Sequence, residues 1–151
     1  DMWRIFGLIF FSDKNHFLDL PNKNFKEIQI REFLFQIGIG IFDTAYQIKR
    51  LQGNASDKFL EIVTPTDLSA LLEQIPMCNT IMTTGDKATD TLMQHFPDQP
   101  IKPMIGQSVK VGYDNRELSL YRLPSSSRAY PLALEKKADI YKQFFQQIGL
   151  V

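Results

Sequence analysis

The sequence predicts a mixed α/β fold. Segments with apolar residues at helical spacing alternate with short apolar runs of strand length. Three of the strand candidates end in small polar residues. No internal repeat, low-complexity tract or Pro/Gly/Ser-rich linker interrupts the pattern, so one domain covers residues 1–151.

The elements follow in order. Met2, Ile5, Phe6, Ile9 and Phe10 recur at helical spacing. Residues 25–35 form a second helical candidate, with Lys, Glu and Arg between apolar positions. Ile37-Gly-Ile-Gly-Ile-Phe42 reads as a short buried strand whose glycines allow close approach by a neighbour. Residues 43–55 end in a loop and carry Lys49 and Arg50. Residues 56–63 read as a short helix. Thr66 is placed as N-cap of a helix over 67–75, which Pro76 stops. Residues 79–83 form a second strand ended by Thr84-Gly85. Residues 86–96 follow as a helix with Ala88, Leu92 and Phe96 on one face. Pro97, Pro100 and Pro103 mark a loop. Residues 108–112 and 117–123 read as a hairpin around Asp114-Asn115. Residues 124–130 form a loop. Pro131 opens a last helix with Leu134, Ala138, Tyr141, Phe145 and Ile148 as its stripe.

The chain has 151 residues, of which 44% are hydrophobic and 23% charged. That apolar content excludes a disordered chain, and a domain of this length needs no disulfide or metal staple. No apolar run reaches the roughly 18 residues of a membrane span, so no membrane partner is expected. The single cysteine, Cys78, suits a reducing cytoplasm, and no signal peptide is read at residue 1. Seventeen basic residues balance seventeen acidic ones. Nucleic acid would therefore have to be held by a local patch such as Lys49, Arg50 and Arg128.

The polar clusters at the strand candidates' ends are Asp43-Thr44, Thr83-Thr84-Gly85 and Ser125-Ser126-Ser127. In open parallel sheets, ligands bind outside the carboxyl ends of the strands. Parallel neighbours would bring the three clusters to one cleft; equally, strand ends are polar simply because loops begin there. His16, His95 and Cys78 show no ligand spacing, so no metal is expected. Phosphate-loop, dinucleotide and serine-hydrolase signatures are absent. What remains is hydroxyls, backbone amides and one carboxylate. Such a cleft suits a polar planar ligand and a leaving anion.

These residues resemble the uracil-DNA glycosylase superfamily, most closely its hypoxanthine/uracil branch. Leu123-Pro-Ser-Ser-Ser-Arg-Ala129 is similar to its Leu-Pro-Ser-x-Ser motif. Met2-Trp-Arg-Ile-Phe-Gly7 resembles the helix after its first motif, and Gly38-Ile-Gly-Ile-Phe-Asp43 the strand whose end contacts the base. Asp43 through Arg50, Gly53, Ser56 and Asp57 resemble the Trp-Asp…Arg-x-Gly-Ser-x-Asp stretch. Thr84-Gly-Asp-Lys-Ala88 resembles its strand-to-helix step. The resemblance covers nearly the whole chain, with the motifs in family order.

The resemblance implies a three-layer α/β/α fold around a central, mainly parallel four-stranded sheet. It implies hydrolysis of the N-glycosidic bond of a flipped uracil or hypoxanthine, with DNA carrying the deaminated base as partner. It implies a monomer in the cytoplasm, at the nucleoid in a bacterium, with no cofactor and no metal. Asp43 would face the base, and Thr44, Thr84 and Gly85 would line the pocket. Ser125, Ser126 and Ser127 would hold phosphates, and Arg128 and Tyr130 would enter the minor groove. Lys49 and Arg50 would add local charge.

The sequence departs from the family in four places, one of them Ser126-Ser127-Arg128, which replaces a more usual Ser-Pro-containing loop. Leu123 stands where many relatives have His before Pro. Asp43 stands where many have Asn, and an ionised Asp only accepts hydrogen bonds. The first strand and first motif, with the water-positioning residue, are not in these residues and are expected upstream, unless Asp1 supplies that residue. A second expectation is therefore a binding module of the same fold that has lost catalysis. A third is an unrelated α/β domain with structural or protein-binding work.

Overall fold

The computed structural model describes residues 1–50, 60–99 and 101–151. Gly53, Asn54, Ser56, Asp57 and Pro100 lie outside the described residues. The helices are α1 (Met2–Phe11), α2 (Glu27–Ile37), α3 (Leu68–Gln74), α4 (Asp86–Met93) and α5 (Leu134–Gln147). The strands are β1 (Leu18–Asp19), β2 (Asn24–Phe25), β3 (Ala45–Arg50), β4 (Leu60–Pro65), β5 (Thr80–Thr84), β6 (Ser108–Tyr113) and β7 (Arg116–Leu123). The mixed α/β class is as the sequence predicts. The chain divides into two compact units, Asp1–Phe42 with Ser126–Val151, and Asp43–Ser125.

The first unit is built on aromatic packing. α1 packs on α5, and Phe6 meets Phe145 edge to face at 5.4 Å between ring centres. Phe10 touches Phe6, Phe33 and Phe145, and Phe33 also touches Phe17. Burial of each such ring stabilises by about 1.5–3 kcal/mol, and edge-to-face geometry adds to it. Ile5, Phe6, Phe17, Tyr141 and Phe145 are buried. The antiparallel β1–β2 pair joins α1 to α2.

Residues 37–42 are not the strand that the sequence predicts. Ile37 is the last residue of α2, and Gly38 follows it in the left-handed conformation at φ 74°. Gly38 N–H returns to Phe35 O and Ile39 N–H to Leu34 O. That pairing is the glycine-terminated helix end of the Schellman type. The glycine read as a strand contact is a helix stop. Ile41 and Phe42 beyond it are exposed and outside any strand.

The second unit holds a three-stranded sheet in the order β5-β7-β6. β5 and β7 are parallel, with Thr80 opposite Ser119 and Thr84 opposite Leu123. β6 and β7 form an antiparallel hairpin, closed at Tyr113 and Arg116 around Asp114, which takes φ 49°. This hairpin is where the sequence places it. Leu72, Leu92, Phe96, Val111, Leu118 and Leu120 form one apolar cluster, so α3 and α4 cover the same face of the sheet. The fourth strand of a mainly parallel sheet is not seen among the described residues.

Three smaller boundaries differ from expectation. Asp67, not Thr66, caps α3, and its carboxylate accepts from Ala70 N–H at 3.1 Å. Thr66 instead donates its hydroxyl to Asp43 O at 2.6 Å. Residues 60–63, read as helix, lie in β4, which pairs antiparallel with β3. Leu60, Ile62 and Thr64 recur at the two-residue period of a strand, and Ile62, Val63 and Thr64 are three β-branched residues in a row. α5 begins at Leu134, three residues after Pro131.

Arg116 joins the loop after α3 to the sheet. Its guanidinium donates to the carbonyls of Leu72, Ile75, Pro76 and Cys78 at 2.9–3.1 Å. A short helix leaves its last carbonyls without intrahelical partners, and a five-donor fork can satisfy several at once.

Candidate functional site

The carboxyl ends of β5 and β7 form the candidate site. Because the strands are parallel, both deliver their outgoing loops to one end of the sheet. Gly85 N–H donates to Leu123 O at 3.0 Å, which carries the pairing one residue past β5. Gly85 takes φ 109° and serves as N-cap of α4. A Cβ on it would stand 3.3 Å from Ser125 Cβ. Thr84-Gly85 and Ser125 thus meet as the sequence expects.

Buried hydroxyls from β5 and α4 hold this turn. Thr89 donates to Gly85 O at 2.8 Å, and its oxygen lies 2.8 Å from the Thr83 hydroxyl. Both threonines are buried, so the pairing also spares them an unsatisfied polar group.

A charged cluster missed by sequence reasoning borders the turn. Asp86, in the first turn of α4, accepts from Lys102 Nζ at 2.7 Å and from Arg122 Nη2 at 2.8 Å. Lys102 also donates to Asp90 at 2.9 Å. The hydrogen bond from Lys102 holds the Asp86 carboxyl below its ordinary pKa, helped by both positive charges. Arg122 follows Leu118 and Leu120 at two-residue spacing, which places it on the α4 face of the sheet. That alternation is the signal that could have found it. Asp86 is therefore engaged by two cations.

The serine loop beyond Ser125 belongs to the first unit and is tied to its helices. Tyr141, fully buried on α5, shares a hydrogen bond with Ser126. Burial raises the Tyr141 phenol well above the ordinary tyrosine range, against the pull of that hydrogen bond. Lys137 Nζ donates to Ser127 O at 2.7 Å and stands 5.6 Å from the Tyr130 ring centre. Ser127 Oγ accepts from Ala129 N–H at 3.2 Å. Arg128, largely exposed, pairs with Asp1 at 2.9 Å. The spacing of Lys137 from Tyr141 and Phe144 puts it on the apolar stripe of α5, a visible anomaly in the sequence.

Asp43 has a different anchor. It is exposed, and its carbonyl oxygen receives Thr66. Thr44 is half-buried, and its carbonyl accepts from Thr66 N–H at 3.1 Å. Thr66 precedes α3, whose Ser69 accepts from the Tyr113 hydroxyl at 2.7 Å. Tyr113 lies at the hairpin end of β6 and β7. Thr84 and Ser125 lie at the other end of β7, about 23 Å along the strand. The described contacts of Asp43 and Thr44 run to Thr66, and none of them reaches Gly85 or Ser125. Lys49 and Arg50 are exposed on β3, with Lys49 opposite Glu61.

Among the described residues, no group of His, Cys, Asp and Glu could hold a metal ion. His16 is stacked on Phe11 at 3.7 Å, His95 is exposed, and Cys78 is half-buried with Sγ near Thr80 O. Among the described residues, no helix is long and apolar enough to cross a membrane. Hydroxyls, backbone amides and paired cations at the ends of parallel strands can bind a polar or anionic group. No family model, curated protein or solved structure matches the chain.

Proposed function

We propose that this chain is a monofunctional DNA glycosylase of the uracil-DNA glycosylase type. It would hydrolyse the N-glycosidic bond of a flipped uracil or hypoxanthine. The observation that carries the reading is the approach of Gly85 to Ser125 where β5 and β7 end in parallel. In this reading Thr84 and Gly85 line the base pocket. Ser125, Ser126 and Ser127 hold phosphates by hydroxyl and backbone amide, and Arg128 and Tyr130 enter the minor groove. The full fold is the three-layer α/β/α form, in which β5, β7 and β6 belong to a four-stranded sheet. The protein works as a cytoplasmic monomer on DNA carrying a deaminated base.

The second reading, a nucleic-acid or nucleobase binding module without catalysis, is favoured by one observation. Asp43, the carboxylate assigned to the base, is tied through its carbonyl to Thr66 and makes no described contact with Gly85 or Ser125. Asp86, at the carboxyl end, is occupied by Lys102 and Arg122.

The test is incubation of the protein, with any upstream part of its reading frame, with labelled DNA carrying one uracil or one hypoxanthine. Abasic sites are then cleaved with alkali. Scission at the modified base is the expected result. Binding without scission on single- and double-stranded substrates would leave the second reading, and neither binding nor scission would end both.

A further inference from the structure

Lys137 stands where a lysine is costly. It is 2% exposed, and burial lowers its pKa by disfavouring the charged form. It sits in the first turns of α5, whose N-terminal end carries positive partial charge. It forms no ion pair among the described residues. Its described partners are the Ser127 carbonyl and the face of Tyr130, so both lie in the segment assigned to DNA. A methionine would fill the same volume on the apolar stripe without these costs. Local rules broken without an evident gain in stability are expected at functional places.

We infer that Lys137 is a positioning residue of the phosphate-binding loop, an inference that rests on the DNA reading above. Its ammonium fixes the Ser127 carbonyl inward, which commits the peptide plane and turns the loop's outer side to the ligand. Its charge, not cancelled by a carboxylate, raises the positive potential beneath Ser126 and Ser127. An exposed lysine would reach a phosphate directly; Lys137 acts through the loop it holds. Tyr141, one helical turn on, holds Ser126 from the same side of α5.

The test uses the full chain and three variants, Lys137→Gln, Lys137→Met and Lys137→Arg. Gln keeps a donor for Ser127 O and removes the charge, so it separates charge from packing if the Met variant folds poorly. Binding to a duplex carrying a stable abasic-site analogue is followed by fluorescence anisotropy across a salt series, with thermal melts alongside. Lys137→Gln is expected to weaken binding roughly tenfold at low salt and to lower the salt slope by up to about one, while Lys137→Arg restores both. A purely structural role would shift the melting temperature without changing the slope. Wild-type affinity and slope in folded Lys137→Gln would overturn the inference and leave the DNA reading standing. Failure of the wild type to bind DNA at all would overturn both.

Discussion

Gly85 and Ser125 are held so close that one added carbon on Gly85 would press on the Ser125 side chain at 3.3 Å. The φ of 109° at Gly85 is also one that residues with a side chain rarely adopt. Gly85→Ala therefore meets two obstacles, backbone strain and a crowded neighbour. It is expected to destabilise by about 2 kcal/mol and to displace Ser125. A urea titration measures the first. A loss of DNA affinity larger than the loss of stability explains would show the second.

Arg116 satisfies four carbonyls with one side chain. Arg116→Met keeps much of the volume and removes all four bonds; Leu72 O and Ile75 O retain the N–H groups of Ile75 and Cys78, while Pro76 O and Cys78 O lose the donor described for them. The expected cost is roughly 2–3 kcal/mol, read from the midpoint of chemical unfolding. The Lys variant is expected to recover only part of it, because a point-like ammonium cannot match the planar fork.

The cluster of Asp86, Lys102 and Arg122 gives stability a definite pH dependence. Asp86 has a lowered carboxyl pKa, chiefly through the Lys102 hydrogen bond. Its contribution is present above the ordinary carboxylate pKa and is lost as pH falls through the lowered one. Lys102 is raised, first by Asp86 and then by Asp90. Its contribution is full below the ordinary lysine pKa and is lost as pH rises through the raised one. Asp86→Asn should flatten the acid side of a melting-temperature profile and shrink the alkaline loss. An unchanged profile would mean that these exposed pairs contribute nothing measurable.

Asp43 separates catalysis from binding. Under the glycosylase reading, Asp43→Ala abolishes excision and leaves affinity for abasic-site DNA nearly unchanged. The hydroxyl of Thr66 contacts the backbone of Asp43, so the substitution keeps that hydrogen bond. Single-turnover excision and anisotropy on the same preparation decide it. Equal excision by wild type and variant would remove Asp43 from the chemistry.

Much of the fold was legible because the responsible pattern is local. Met2–Phe11 and Leu134–Gln147 show their stripes directly, and Tyr113 through Arg116 shows a two-residue turn between alternating runs. Ile37-Gly-Ile-Gly-Ile-Phe42 misled because glycine serves equally as a strand contact or a helix stop. Only the return of Ile39 N–H to Leu34 O distinguishes the two. Residues 60–63 misled because one short apolar run fits both periods, and β3 settles the matter by pairing with it.

The site was legible only in part. Thr84-Gly85 and Ser125 meet because β5 and β7 are parallel, which strand-end chemistry anticipates. The partners of Asp86 lie 16 and 36 residues away, at Lys102 and Arg122, beyond any spacing rule. The hydrogen bond between Thr66 and Asp43 is equally non-local. Lys137 was visible as a charge on an apolar stripe, but its meaning depends on Ser127 folding over it.

Amide hydrogen exchange tests the location of the site most directly. The full chain would be labelled alone and with duplex DNA holding one abasic-site analogue. Slowed exchange is expected at Thr84 to Lys87 and at Ser125 to Tyr130, with the surface of β4 unchanged. Slowed exchange confined to other segments, or none at saturating DNA, would contradict a DNA site at the carboxyl ends of β5 and β7.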